Sequence, residues 1–314
     1  MTDAPASQPD TPHSDRPRVH DLPPDPAAGS LLVVGADGLL GGSLVDLGRR
    51  DHQPVHGTTL LPASPPAPDL APLDLTRPLD GWTPPPGVRS AILCAAITRL
   101  DACRNDPAGS RLINVDRTLE LARRLTDAGV FVTFISSNLV FDGTLPRLAA
   151  DAPFRPQTEY GRQKAEVETA LRELPRPLTA VVRLTKVLHS KWPLVQGWLD
   201  ALRAGRPVQA FADFVCAPIP LALVVRGLNA VSRGRRSGTW QFSADTDVSY
   251  ADIARHLARG IGAPESLVEA VPSDTRTNLE HNPAHTTLDA SRARSELGLA
   301  FPPPLATVEQ AFLP

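Results

Sequence analysis

The sequence predicts an α/β protein built on a doubly wound parallel sheet, with a smaller C-terminal lobe. Three observations carry this prediction. Short apolar runs alternate with amphipathic helical stretches from Leu31 to Leu184, which is the rhythm of strand–helix–strand crossovers. A glycine-spaced turn follows the first apolar run. Beyond Leu184 the alternation weakens, as it does where a chain leaves its sheet to build a second layer.

Residues 1–29 are rich in Pro, Asp, Ser and Ala and nearly devoid of large apolar side chains, so they are expected to form a disordered tail. Leu31-Leu32-Val33-Val34 reads as a buried parallel strand. Leu39, Leu40, Leu44, Val45 and Leu47 then share one helical face, up to Arg49-Arg50. Pro54 to Gly57 is a second, shorter strand. Residues 61–86 carry too much proline for helix, with one strand expected at Leu73-Asp74-Leu75. Ser90 to Cys94 is a strand, 110–128 a helix ending at Gly129, and Val130 to Ile135 a strand. A helix from about Glu159 to Leu174 leads into the strand Leu178 to Leu184. Helices are expected at 193–204, 221–232, 249–261 and 290–297, a strand at Thr239–Phe242, and loop with short strand at 208–220. The domain reading is therefore 30–185 for the sheet domain, with 215–245 returning to it, and 186–214 plus 246–314 for the lobe.

Composition narrows the function classes. The chain has 314 residues and a formal net charge of −2, so it offers no electrostatic field for nucleic acid or an anionic membrane. It contains no run of eighteen apolar residues, and its start lacks the basic and apolar parts of a signal peptide. Cys94, Cys103 and Cys216 make an odd set without metal-ligand spacing. The expectation is a cytoplasmic protein with reduced thiols, no metal, and neither nucleic-acid nor membrane partners.

The turn Gly35-Ala36-Asp37-Gly38-Leu39-Leu40-Gly41 sits between a strand and a helix, the context in which such glycines cradle a dinucleotide. The first permits the tight turn, the second lets the pyrophosphate approach the backbone, and the third lets helix pack on strand. The helix N-terminus then faces the phosphates. This is a Rossmann-type signature. The second strand ends at Thr58-Thr59 with no acid to hold a ribose 2′-hydroxyl, which favours NADP(H), with NAD(H) the alternative. Asp74, beside Leu75, is placed to accept from the adenine amino group; a solvated loop aspartate is the bland reading.

Tyr160 and Lys164 lie four apart at a helix start and so share a face. Only two tyrosines and three lysines occur in the whole chain, which makes the coincidence improbable by chance. A ketone that accepts hydride must receive a proton on oxygen. A phenol with a pKa near 10 is poorly matched to that task unless a nearby ammonium favours its ionised form. Ser137, at a strand end, is positioned to hydrogen-bond the carbonyl.

These features, with Cys94-Ala95-Ala96, Ile135 to Gly143, Val182-Arg183-Leu184 and Leu288 to Ser291, resemble the extended short-chain dehydrogenase/reductases. The resemblance is closest to the dTDP-4-dehydrorhamnose reductase branch and runs from about residue 31 to the C-terminus. It implies NAD(P)H-dependent reduction of a keto group on a nucleotide-linked sugar, with Ser137, Tyr160 and Lys164 as catalytic hydroxyl, acid and lysine. It further implies a homodimer, Ala95 and Ala96 lining the cofactor, and Asn114 matching an asparagine of the fourth helix. Thr98, Asn138, Arg183, Lys186 and Trp192 are the candidate substrate contacts. The family usually has Asp-Tyr where this chain has Asn138-Leu139, Cys94 replaces a common asparagine, and Lys186 replaces a frequent tryptophan. A sugar-nucleotide epimerase or dehydratase uses the same residues. A non-catalytic NADP-binding subunit would have no need of Tyr160 and Lys164.

Overall fold

The computed structural model describes residues 29–61, 67–275 and 280–313. The expected disordered tail, Gly29 apart, lies outside the described residues. In chain order the elements are β1 (Ser30–Val34), α1 (Leu39–Arg50), β2 (Val55–Thr59), β3 (Leu70–Pro72), β4 (Val88–Leu93), α2 (Leu100–Asn105) and α3 (Pro107–Arg111). A π-helical turn (Leu112–Arg117) leads into α4 (Thr118–Asp127), then β5 (Phe131–Ser137), α5 (Glu159–Arg172), β6 (Thr179–Leu184), β7 (Lys186–Leu188) and α6 (Pro193–Arg203). The rest comprises β8 (Val208–Phe211), β9 (Val215–Cys216), β10 (Pro218–Pro220), α7 (Leu221–Arg233), β11 (Gly238–Phe242), β12 (Val248–Ser249), α8 (Tyr250–Gly260), β13 (Val268–Val271), α9 (Ser291–Leu297) and α10 (Pro304–Phe312).

Seven parallel strands form one sheet in the order β11-β6-β5-β4-β1-β2-β3. The order reverses at β1, so the crevice beyond the carboxyl ends of β1 and β4 is the topological switch point where such sheets bind ligands. β1 explains why its run is apolar at every position. Leu31 and Val33 face α1, α7 and α9, whereas Leu32 and Val34 face α4 and α5. Each of the four is at most 1% exposed and contributes roughly 1.5–3 kcal/mol by burial. A separate core joins α6, α8 and α10 to β8 and β13 through Leu199, Leu202, Ile253, Leu257 and Val308.

Two local expectations are corrected. The edge strand lies at Leu70–Pro72, not at Leu73–Leu75. Proline is tolerated there because an edge strand needs hydrogen bonds on one side only, and Leu73 continues the pairing, donating its N–H to Thr59 O at 2.8 Å. The 110–128 helix is a composite whose middle winds as a π-turn. There Thr118 Oγ1 donates to Ile113 O at 2.9 Å.

Candidate active site

Two adjoining clefts open at the carboxyl edge of the sheet. The smaller, about 250 Å3, is lined by Gly35, Asp37, Gly38, Thr58, Asp74, Leu75, Cys94, Ala95 and Ala96, among others. The larger, about 550 Å3, runs from Gly38, Leu39, Leu40 and Gly41 past Ser137 and Tyr160 to Lys186 and Tyr250. Gly38, Cys94 and Ala96 border both, so one elongated ligand can occupy the pair.

The glycine turn fits a dinucleotide on three counts. Gly35 has φ +88°, and a Cβ there would lie 2.7 Å from Ala95 N; at Gly41 a Cβ would lie 2.0 Å from Gly35 O. The fold itself demands those two glycines. Gly38 is different, because a Cβ would meet nothing nearer than Gly35 O at 3.5 Å. Its bareness leaves room on the cleft side, where a pyrophosphate would lie. Finally, α1 has no side-chain cap and no acid in its first turn, so its leading N–H groups are available to an anion. Asp37 accepts from Leu60 N at 3.1 Å, and Asp74 accepts from Thr76 N and Oγ1 at 2.8 and 2.6 Å.

Tyr160 and Lys164 occupy the buried face of α5. The helix is capped by Thr158, whose Oγ1 accepts from Gly161 N at 3.0 Å. Gly161 is required by close approach: a Cβ there would stand 2.2 Å from Leu139 O. Its absence lets the short 3-10 turn Asn138–Val140 press on the first turn of α5, bringing Ser137 and Tyr160 into the same cleft. Ser137 Oγ accepts from Leu139 N at 3.2 Å and donates to Asn138 Oδ1 at 3.3 Å.

The electrostatics differ from the simple expectation of an ammonium lowering the pKa of a phenol. Lys164 Nζ donates to Ile135 O at 2.9 Å and stands 4.5 Å from the Phe134 ring centre and 5.4 Å from that of Tyr160. Burial pulls the Lys164 ammonium down to about 8, against the opposing pull of Glu168. Burial pushes the Tyr160 phenol well above its ordinary value. Cys94 is pushed up to about 12 by burial and meets the cleft as a neutral thiol.

Asn114, brought inward by the π-turn, accepts from Ile97 N at 2.8 Å and donates to Ile97 O and Gln163 Oε1 at 2.9 and 2.8 Å. It thereby ties the loop carrying Ala95 to Thr98 onto α5. Thr98, Asn138 and Lys186 line the larger cleft. Arg183 does not. Its side chain is fully buried, bidentate to Glu168 at 3.0 and 2.7 Å, with Nη1 donating to Ala150 O and Gln241 Oε1. Trp192 stands behind the wall, under Lys186 and edge-on to Tyr250. The cleft also takes Phe214, Val215, Cys216, Tyr250, His281, Pro283 and Thr286 from distant segments, which no local motif marks.

A seven-stranded doubly wound sheet with adjoining clefts at its switch point defines a nucleotide-binding α/β protein. The chain belongs to the RmlD substrate binding domain family, whose profile matches residues 29–312. It is similar to the dTDP-4-keto-6-deoxy-D-glucose reductase of Streptomyces niveus, 28% identical over 262 residues, 82% of this chain and 87% of that protein. A 98-residue stretch is 37% identical to the methionine adenosyltransferase 2 subunit beta of Bos taurus, covering 31% of this chain and 29% of that one. The structure of dTDP-4-dehydrorhamnose reductase from Bacillus anthracis in complex with NADP shares the fold, with a TM-score of 0.75 over 90% of this chain and 98% of that one at 18% identity. Among the described residues, no helix is long and apolar enough to cross a membrane.

Proposed function

We propose that this protein reduces a keto group on a nucleotide-linked sugar, using NADPH or NADH. The carrying observation is that Ser137 and Tyr160 open into the same cleft as Gly38 to Gly41, so a proton donor and a cofactor cradle face one space. The bound dinucleotide would supply the hydride received by the carbonyl carbon. Tyr160 gives its phenolic proton to the carbonyl oxygen. Its desolvation keeps that proton in place until charge develops on the oxygen. Ser137 donates a second hydrogen bond to the same oxygen and stabilises that charge. Lys164, anchored on Ile135 O, supplies the positive potential that tempers the phenolate left behind.

The similarity over four-fifths of the chain to a sugar-nucleotide reductase supports reduction over epimerisation or dehydration. The match to the methionine adenosyltransferase subunit is confined to under a third of the chain and supports no whole-protein role. The test is NADPH and NADH oxidation with a panel of 4-keto sugar nucleotides, comparing wild type with Tyr160→Phe. The expected result is a rate loss of roughly 100-fold or more with dinucleotide binding intact. Equal rates in the two proteins would remove Tyr160 from the chemistry.

A further inference from the structure

We propose that Lys186 is a built anion site, which grips the sugar-side phosphate of a nucleoside diphosphate. The proposal rests on the sugar-nucleotide reading above and gives it a specific point of recognition.

Lys186 is the first residue of β7, paired with Pro218 of β10. It lies two residues beyond Leu184, and Leu184 pairs with Ser137 in the main sheet. Two residues of extended chain span about 7 Å, so the lysine leaves the backbone beside the serine of the reacting centre. Its side chain lines the larger cleft. The ammonium rests 4.2 Å over the Trp192 ring, and among the described residues it makes no hydrogen bond and no ion pair.

That environment is unfavourable for a resident cation. A cation–π contact satisfies none of the three N–H donors. Burial lowers the lysine pKa, and the facing Cys216 thiol is itself pushed up to about 12, so it stands there neutral. A partly desolvated ammonium that lacks an acceptor is costly unless something supplies one. The lysines of this chain differ in this respect: Lys164 has the Ile135 carbonyl, while Lys186 faces open cleft.

The surrounding charge narrows the acceptor to an anion of more than one charge. Burial first, and then the nearby cations Lys186 and Lys191, depress the pKa of His189, so two cations lie close to one another just before α6. Lys191 N donates to His189 Nδ1 at 3.3 Å, which leaves Nε2 as the protonated nitrogen of the neutral ring. In a sugar nucleotide the group of more than one negative charge is the diphosphate, and its sugar-side phosphate is the part adjoining the sugar that would meet Ser137 and Tyr160, so that phosphate is the one assigned to Lys186.

The experiment is a calorimetric titration of dTDP, dTMP and thymidine into wild type, Lys186→Met and Lys186→Arg, repeated with UDP and UMP. NADPH and NADH titrations and Tm serve as controls. Wild type is expected to bind dTDP at least tenfold more tightly than dTMP. Lys186→Met should lose roughly 10- to 100-fold of dTDP affinity, the loss of one charge-assisted contact, with dTMP, thymidine and dinucleotide binding unchanged. Lys186→Arg should keep most of the preference. Tm should hold or rise in Lys186→Met, since a desolvated charge is removed. Equal dTDP affinity in wild type and Lys186→Met would overturn the assignment while leaving the reductase reading intact. A marked fall in Tm would assign Lys186 to the support of Trp192 and overturn it too. Failure of wild type to bind either diphosphate would overturn the substrate class and this site together.

Discussion

Glu168→Gln perturbs a buried carboxylate that joins α5 to the sheet. The Glu168 side chain is fully buried, takes a 2.6 Å hydrogen bond from Ser136 Oγ, and holds Arg183 through Nε and Nη2 at 3.0 and 2.7 Å. Replacing it with the isosteric amide leaves a fully buried guanidinium without counter-charge. Breaking one side of such a pair costs about 3–5 kcal/mol, which for a chain of this size is a fall in Tm on the order of 10 °C. The double variant Glu168→Met/Arg183→Met should recover most of that loss, because the uncompensated charge goes with its partner. Urea unfolding with an unchanged m-value measures the stability. A second readout separates positioning from mere support. Glu168 raises the Lys164 pKa, so its loss lowers that value from about 8, and the alkaline limb of kcat/KM should move to lower pH. A Glu168→Gln protein within 1 kcal/mol of wild type, with its alkaline limb unmoved, would refute this reasoning.

Three further predictions concern the glycine turn and Lys164. Gly41→Ala should cost roughly 3 kcal/mol or more, because its Cβ would sit 2.0 Å from Gly35 O. Gly38 is extended at φ −86°, ψ 167°, so Gly38→Ala should change stability by less than about 1 kcal/mol yet weaken NADPH binding tenfold or more, read by fluorescence titration beside a thermal melt. Lys164 titrates near 8 when folded against 10.5 in the open chain, so the unfolded state holds the extra proton between those values. Its contribution therefore makes stability rise with pH across that window, by at most about 3 kcal/mol, and Lys164→Met should flatten the rise in pH-dependent urea melts.

The sheet and the cofactor turn were legible because each rests on local chemistry. β1 is apolar on both faces, and the glycine turn places Gly35 and Gly41 where only glycine fits. The Tyr160–Lys164 spacing was legible for the same reason: four residues on a helix determine a shared face. Arg183 lies buried on Glu168 and not in the cleft, and its chain position near the end of β6 says nothing about which side of the strand it takes. Its partner Glu168, two turns after Tyr160, became visible only once α5 lay against β6. The far wall of the larger cleft, Phe214, Tyr250 and His281, is assembled from segments separated by more than thirty residues, and no periodicity links them. The strand at 70–72 was missed because its proline argues against a strand everywhere except at an edge.

β11 carries a consequence for how the chain reaches this state. It adds to β6 at the margin of the main sheet only after the chain has built β7 to β10, α6 and α7. During synthesis the edge of β6 therefore stays open until more than fifty further residues have emerged. That interval is when an unpaired strand is exposed to wrong partners. Trp240, completely buried in β11, comes to rest when that gap closes. Its indole is a built-in chronometer for the final seam of the sheet.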